Sequence, residues 1–192
     1  MLSVTSSSPK SLRPMTDTKS KPDDTPYFEL DLSIDDDRWD KQLDEGVFVL
    51  SEAILTIALA ALSAANSLPD SDLEVSVCLT NDDAIQDLNK KYRDKDKPTN
   101  VLSFPQYDDA EHGMAAMLGD IVLSYDTVIK EAKEQKKPFK DHYTHLLVHG
   151  CLHLAGYNHE SDADADEMES LEISILDSLN IQNPYLDKSQ IA

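Results

Sequence analysis

Residues 149–159 read HGCLHLAGYNH and hold three of the chain's six histidines at spacings i, i+4 and i+10. Side chains four residues apart share one face of a helix, and Leu146, Leu147, Leu152 and Leu154 provide the apolar anchor for one. Gly156 ends that helix, and a turn there doubles the chain back so that His159 reaches His149 and His153. Three imidazoles meet at one cation only if helix, sharp stop and reversal follow in that order, so this segment restricts the fold more than any other.

Three protein nitrogens leave one coordination position open. In catalytic zinc sites that position holds a water whose pKa the ion lowers to about 7. Imidazole also suits nickel, copper and iron, so zinc is the favoured ion among several. Ordinary surface or core histidines are the bland alternative, but three within eleven residues with a glycine at the bend are an improbable accident. His145 lies one turn earlier on the same face and His142 nearby; both read better as structural or supporting residues than as ligands. His112, alone in a polar loop, receives no role. Zinc proteases with this spacing carry a general-base Glu directly after the first His, and here that position is Gly150. Peptide hydrolysis must protonate a poor amine leaving group, whereas phosphodiester cleavage chiefly needs charge neutralised on the phosphate oxygens. A chain that keeps the metal and discards the base therefore fits the second chemistry better.

The 192 residues suffice for one domain, and the formal net charge of -20 opposes indiscriminate binding to polyanions. Any nucleic-acid contact must be local. Cys78 and Cys151 form neither a CxxC pair nor a disulfide framework, which suits a reducing compartment, the cytoplasm by default. Residues 1–25 are rich in Ser, Thr, Pro and Lys and lack apolar periodicity, so a disordered extension is expected; an organelle transit peptide is the less favoured reading. The single domain is expected over 26–187, with 188–192 a tail. The long apolar run VFVLSEAILTIALAALSAAN is interrupted by Ser51, Glu52, Thr56 and Ser63 and flanked by acids, which favours a buried core helix over a membrane span.

Period-two alternation marks strands at YFELDLSI (Phe28, Leu30, Leu32, Ile34) and LEVSVCL (Leu73, Val75, Val77, Leu79). Thr80 or Asn81 caps a helix with Ala84, Ile85, Leu88 and Tyr92 on its inner face. Two short runs, VLSFP and GDIVLS, complete four strands, and helices follow at about 125–135, 139–155 and 162–180. The order predicts an α+β domain, a small mixed four-stranded sheet with helices on one side. Asp162, Asp164 and Asp166 lack the central Gly of a calcium loop and read as a solvated helix start, and Met168 as helix core. Ten of the 17 Lys and Arg residues fall in two stretches: Lys90, Lys91, Arg93, Lys95 and Lys97, then Lys130, Lys133, Lys136, Lys137 and Lys140. If the first loop folds over the metal helix, a phosphate chain meets a cationic track; interleaved acids leave the solvated-face reading equally open.

HGCLHLAGYNH followed by DADEMESLE, together with LNKKYRDKDKPTNVLSFP and LGDIVLS, resembles the YbeY family of rRNA-maturation endoribonucleases over about residues 27–186. The resemblance implies a zincin-like metal helix and zinc held by His149, His153 and His159. It implies a functionally essential Arg93. Arg93 and His149 are the candidate catalytic residues, and Arg93 with Lys95, Lys97, Lys136 and Lys137 from the charge pattern are the candidate RNA contacts. It further implies cleavage of single-stranded RNA by a metal-activated water in maturation of the 16S rRNA precursor and in ribosome quality control. The expected partners are the ribosomal small subunit with its proteins and the GTPase Era, with no membrane. Asn158 stands where the family usually has Asp, so a carboxylate is replaced by a neutral amide. Two rivals follow from the residues alone: a metalloprotease-like hydrolase, and a non-catalytic ribosome-assembly factor with a structural metal.

Overall fold

A computed structural model of the chain describes residues 26–43, 46–106 and 115–186. The expected disordered extension, the expected C-terminal tail and His112 lie outside the described residues. Strands β1 (Phe28–Ile34), β2 (Leu73–Thr80), β3 (Val101–Pro105) and β4 (Ala116–Ser124) form one sheet in the order β1-β2-β4-β3. The pairs β1/β2 and β2/β4 are parallel and β3/β4 is antiparallel, so the sheet is mixed as expected. Parallel neighbours need crossover connections, and the helices supply them. Helices α1 (Arg38–Gln42) and α2 (Val47–Ala64) join β1 to β2, α3 (Asp82–Arg93) precedes β3, and α4 (Tyr125–Gln135), α5 (Phe139–Leu154) and α6 (Asp162–Ser178) follow β4.

The alternation read from LEVSVCL holds: Leu73, Val75, Val77 and Leu79 are all fully buried. Each contributes roughly 1.5–3 kcal/mol by leaving water. They face a large cluster that takes Ile54, Leu55, Leu59 and Leu62 from α2, Leu147, Val148 and Leu152 from α5, and Met168, Ile175 and Leu176 from α6. The apolar run expected to be a core helix is therefore α2, which among the described residues is the one helix long and apolar enough to cross a membrane and which turns its buried face to α5 and α6. A second, smaller cluster of Ile85, Leu102 and Val122 lies on the opposite face of the sheet, where α3 packs. Most helices share one side as expected, and α3 adds partial cover to the other.

The inner face of α3 differs from the expected one. Ile85 and Leu88 pack inward, but Ala84 is exposed and Tyr92 is 54% exposed, while Asn89 is buried. The last turn of α3 lies at the sheet edge, where Tyr92 meets the ring of Phe104 at 5.2 Å between centroids and carries the Lys91 ammonium 4.7 Å from its own. Asn89 is buried because its amide donates to Lys97 O at 2.7 Å, holding the loop after α3. Asn81, not Thr80, provides the N-cap, accepting from Ala84 N–H at 3.1 Å. The short α1 had no periodic signal; it exists because Trp39 is fully buried, donates from Nε1 to Thr80 O at 3.0 Å, and packs against Tyr125, Phe139 and Tyr143.

Pairing of β2 with β4 shifts between Glu74 and Val75, opposite Met117 and Gly119, so β4 carries an extra residue there. Gly119 has φ +130°, and a Cβ on it would sit 2.1 Å from Phe104 O. Only glycine allows β3 to pair at that point. Gly119→Ala should therefore destabilise the protein by about 1–3 kcal/mol or more, in the range of a strained backbone site. Chemical denaturation measures this; an unchanged midpoint would show that β3 pairs without needing the bulge.

Candidate metal centre

Helix α5 is buried on most of its circumference, which orients its few remaining polar side chains. It stops as the glycine predicts: Gly156 has φ +92°, its N–H donates to His153 O, and Tyr157 N–H donates to Leu152 O, both at 3.1 Å. This 6→1 and 5→2 pair closes the helix and reverses the chain. Beyond it the Tyr157 hydroxyl pairs with Ser67 Oγ at 2.8 Å, and Asn158 Oδ1 accepts from Glu160 N–H at 3.0 Å. Asn158 thus shapes the turn that delivers His159, and its amide oxygen makes the hydrogen bond an Asp carboxylate would make; the difference from the usual family residue is charge, not this contact.

The three imidazoles converge. Ring centroids are 4.6 Å apart for His149 and His153, 5.2 Å for His153 and His159, and 5.7 Å for His149 and His159. One ring nitrogen of each lies within 4.8 Å of the others. His149 Nε2 and His153 Nε2 stand 3.0 Å apart, against about 3.4 Å for two nitrogens bound tetrahedrally at ordinary zinc distances. His153 Nδ1 donates to Tyr157 O at 2.9 Å, which leaves the Nε2 lone pair free. Burial, then the neighbouring His149, pushes the His153 pKa down to about 4, so this ring is neutral near pH 7 as a ligand must be. The donor set fits a divalent transition ion of the kind imidazole prefers.

Behind His149 lies a residue that motif reading did not find. Glu172 on α6 is fully buried. Its Oε1 is 3.1 Å from His145 Nε2 and 3.4 Å from His149 Nδ1, its Oε2 is 3.5 Å from His149 Nδ1, and Oε2 accepts a short hydrogen bond from the Tyr185 hydroxyl. Burial opposes its charge, but the hydrogen bonds and positive fields of His145 and His149 prevail and hold the carboxyl at about 2. A signal existed: Met168, Leu171, Glu172, Ile175 and Leu176 share the inward stripe of α6, and an acid in such a stripe requires partners. His142 is placed differently: it is buried, and its Nε2 lies 2.8 Å from Oε2 of the half-buried Glu131, which also accepts from Asn100 Nδ2 at 3.0 Å. Both extra histidines thus take supporting positions.

In front of the rings is a cleft of about 610 Å³ whose lining includes His149, His153 and His159 on one wall and Arg93, Lys95 and Lys97 on the other. The loop after α3 therefore does fold over the metal helix. Arg93 donates from Nη2 to Ser103 O at 3.2 Å. Lys90 is neutralised by Asp96 at 2.7 Å, and among the described residues no carboxylate lies in ion-pair range of Arg93, Lys95 or Lys97. Lys136 and Lys137 are not brought into this cleft; they form the left-handed turn between α4 and α5. Lys137 precedes His149 by twelve residues, so the helix holds them roughly 18 Å apart. Glu160 is the one carboxylate among the lining residues.

Gly150, where a protease would carry its base, faces strands β3 and β4. A Cβ there would meet Ile121 Cγ2 at 2.9 Å and Ser103 Oγ at 3.2 Å. The closeness that seats α5 on the sheet excludes a longer side chain from that position.

The chain matches the family model described as Endoribonuclease YbeY over residues 33–180. Relatives named Endoribonuclease YbeY include one from Colwellia psychrerythraea, 48% identical over 67% of this chain and 82% of its own length. A second, from Sinorhizobium fredii, is 43% identical over 84% of this chain and 95% of its own. A third, from Magnetococcus marinus, is 53% identical over 59% of this chain and 84% of its own. The solution structure of TM1509 from Thermotoga maritima superposes with a TM-score of 0.48 at 24% identity, covering 85% of this chain and 99% of that one.

The close contact at Gly150 is open to measurement. Overpacking costs about 1–3 kcal/mol and the better helix propensity of Ala offsets about 1, so Gly150→Ala should lose roughly 1 kcal/mol in denaturant unfolding. Gly150→Glu should force α5 off the sheet and abolish any retention of a divalent transition ion in equilibrium dialysis. Wild-type stability in Gly150→Glu would show that the helix seats less tightly than the distances indicate.

Proposed function

Because the chain belongs to the YbeY family of endoribonucleases, we propose that it cleaves single-stranded RNA with a divalent ion, zinc, held by His149, His153 and His159. The observation that carries this reading is the cleft itself, with three converging imidazoles facing an arginine and two lysines that no carboxylate among the described residues neutralises. A net charge of -20 opposes indiscriminate polyanion binding, so a phosphate chain is favoured at this locally cationic cleft. The cleft volume suits one strand, whose unpaired backbone bends to bring a phosphate against the rings.

A bound ion of this kind supplies Lewis acidity, acidifying a water at its open position and neutralising phosphate charge. The chain's own groups do the rest. Arg93, tethered by one N–H to Ser103 O, has further N–H donors for the non-bridging oxygens of the scissile phosphate. Lys95 and Lys97 hold the flanking phosphates, and Asn89, by donating to Lys97 O, keeps their loop over the cleft. Leaving-group protonation is less demanding than in peptide hydrolysis, which agrees with Gly150 in place of a carboxylate. The substrate we infer is the 16S rRNA precursor at its 3′ end, in maturation and ribosome quality control. The corresponding partners are the ribosomal small subunit with its proteins and the GTPase Era, and the compartment is the cytoplasm. Lys136 and Lys137 are left without a part in the cleft; their place at the start of α5 suits contact with a longer RNA or particle surface.

Two variants separate the roles. Arg93→Ala should retain zinc and slow cleavage of single-stranded RNA by about 100- to 1000-fold, the usual effect of losing one preorganised charge partner. His153→Ala should lose both zinc and cleavage, and a chelator should reproduce it on the wild type. Purified protein assayed on single-stranded RNA and on a peptide library, free of contaminating nuclease, is the check. Turnover of peptide alone would replace the proposal with a protease, and metal retention with no cleavage of either would replace it with an assembly factor.

A further inference from the structure

A fully buried carboxylate is costly to desolvate and persists only where its partners hold it. Glu172 has three, and they are not equivalent. His145 and His149 approach it from successive turns of α5, and Tyr185, from the segment beyond α6, donates to its other oxygen. Tyr185 is itself fixed by a turn in which its N–H donates to Asn183 Oδ1 at 2.8 Å. Of the three candidate ligands, His153 is backed by a neutral carbonyl, Tyr157 O, whereas His149 is backed by this carboxylate.

We propose that Glu172 is the positioning residue of the metal centre, holding His149 in the Nδ1–H tautomer so that its Nε2 lone pair faces His153 and His159, with Tyr185 bracing the carboxylate from the far side. An imidazole whose Nδ1–H points at a carboxylate is oriented and is a stronger donor at Nε2. Glu172 also places one negative charge behind His149, where it would offset part of a dication's charge. His145, on the same carboxylate, completes the cradle without facing the cleft: among the described residues it is absent from the lining that includes His149, His153 and His159. The inference rests on the proposed metal site, and it concerns affinity and proton position, not the chemistry of cleavage.

The test uses the full chain and reads metal binding without RNA. Long-range nitrogen–proton NMR of the wild type should show His149 protonated on Nδ1; a proton on Nε2 overturns the proposal whatever the variants do. Competition with a chromophoric zinc chelator should show Glu172→Gln, nearly isosteric, binding zinc about 10- to 100-fold more weakly than wild type. Tyr185→Phe, at a partly exposed position, should weaken zinc by a smaller factor and decides the matter if Glu172→Gln fails to fold. Cobalt(II) absorption should change in both variants as the His149 ring reorients. Zinc affinity and tautomer within twofold of wild type in the variants overturn the positioning role while leaving the metal site intact. A stoichiometry of two ions per chain, one of them lost in Glu172→Gln, overturns it in favour of a cation bound by His145, His149 and Glu172. A wild type that binds no zinc refutes the underlying metal site, an outcome distinct from the others.

Discussion

The seating of α5 against β3 and β4 is the contact on which the rest depends. At Gly150 the helix backbone approaches Ile121 and Ser103 so closely that no Cβ fits comfortably between them. That approach sets the rotation of the helix, and rotation alone decides that His149 and His153 look into the cleft while Leu147, Val148, Cys151 and Leu152 look into the core. Rolling α5 about its axis would carry His149 and His153 together away from the cleft and turn its leucines towards solvent. The close packing of the interior thus defines the metal centre before any ligand is considered.

Around that helix the molecule sorts its charge. Acids dominate the surface, yet Arg93, Lys95 and Lys97 face the cleft without acidic partners among the described residues, while Lys90 in the same segment is tied to Asp96. The supporting carboxylates sit behind the histidines, the buried Glu172 beneath His145 and His149 and the half-buried Glu131 beside His142. The site is layered: cationic cleft, imidazoles, anionic support. A phosphate approaching from solvent meets attraction first, and an ion between the rings is stabilised from behind.

Much of this was legible in linear order. The strands followed from alternation at Leu73 to Leu79 and Phe28 to Ile34, α5 from its leucines, and its end from Gly156, because each rests on local periodicity or on a backbone angle one residue type prefers. The convergence of His149, His153 and His159 was legible for the same reason, as its geometry is built from one helix and one turn. Ala84 and Tyr92 were misplaced because periodicity cannot say where a sheet ends beneath a helix, and α1 was missed because a single tryptophan, not a pattern, holds it down. Lys136 and Lys137 looked close to the metal helix in sequence, but they sit at its far end, and a helix converts twelve intervening residues into distance.

The amino-acid order by itself determined that three imidazoles on a helix and its turn must converge, since those spacings are set by the 3.6-residue period and by glycine's access to positive φ. Tertiary structure alone decided what surrounds them: that the loop bearing Arg93 closes over them, that Gly150 lies against a strand, and that Glu172 reaches His149 from 23 residues away. Those relations join elements distant in sequence, and they are set by how the helices and the sheet share one core, a quantity no local window contains.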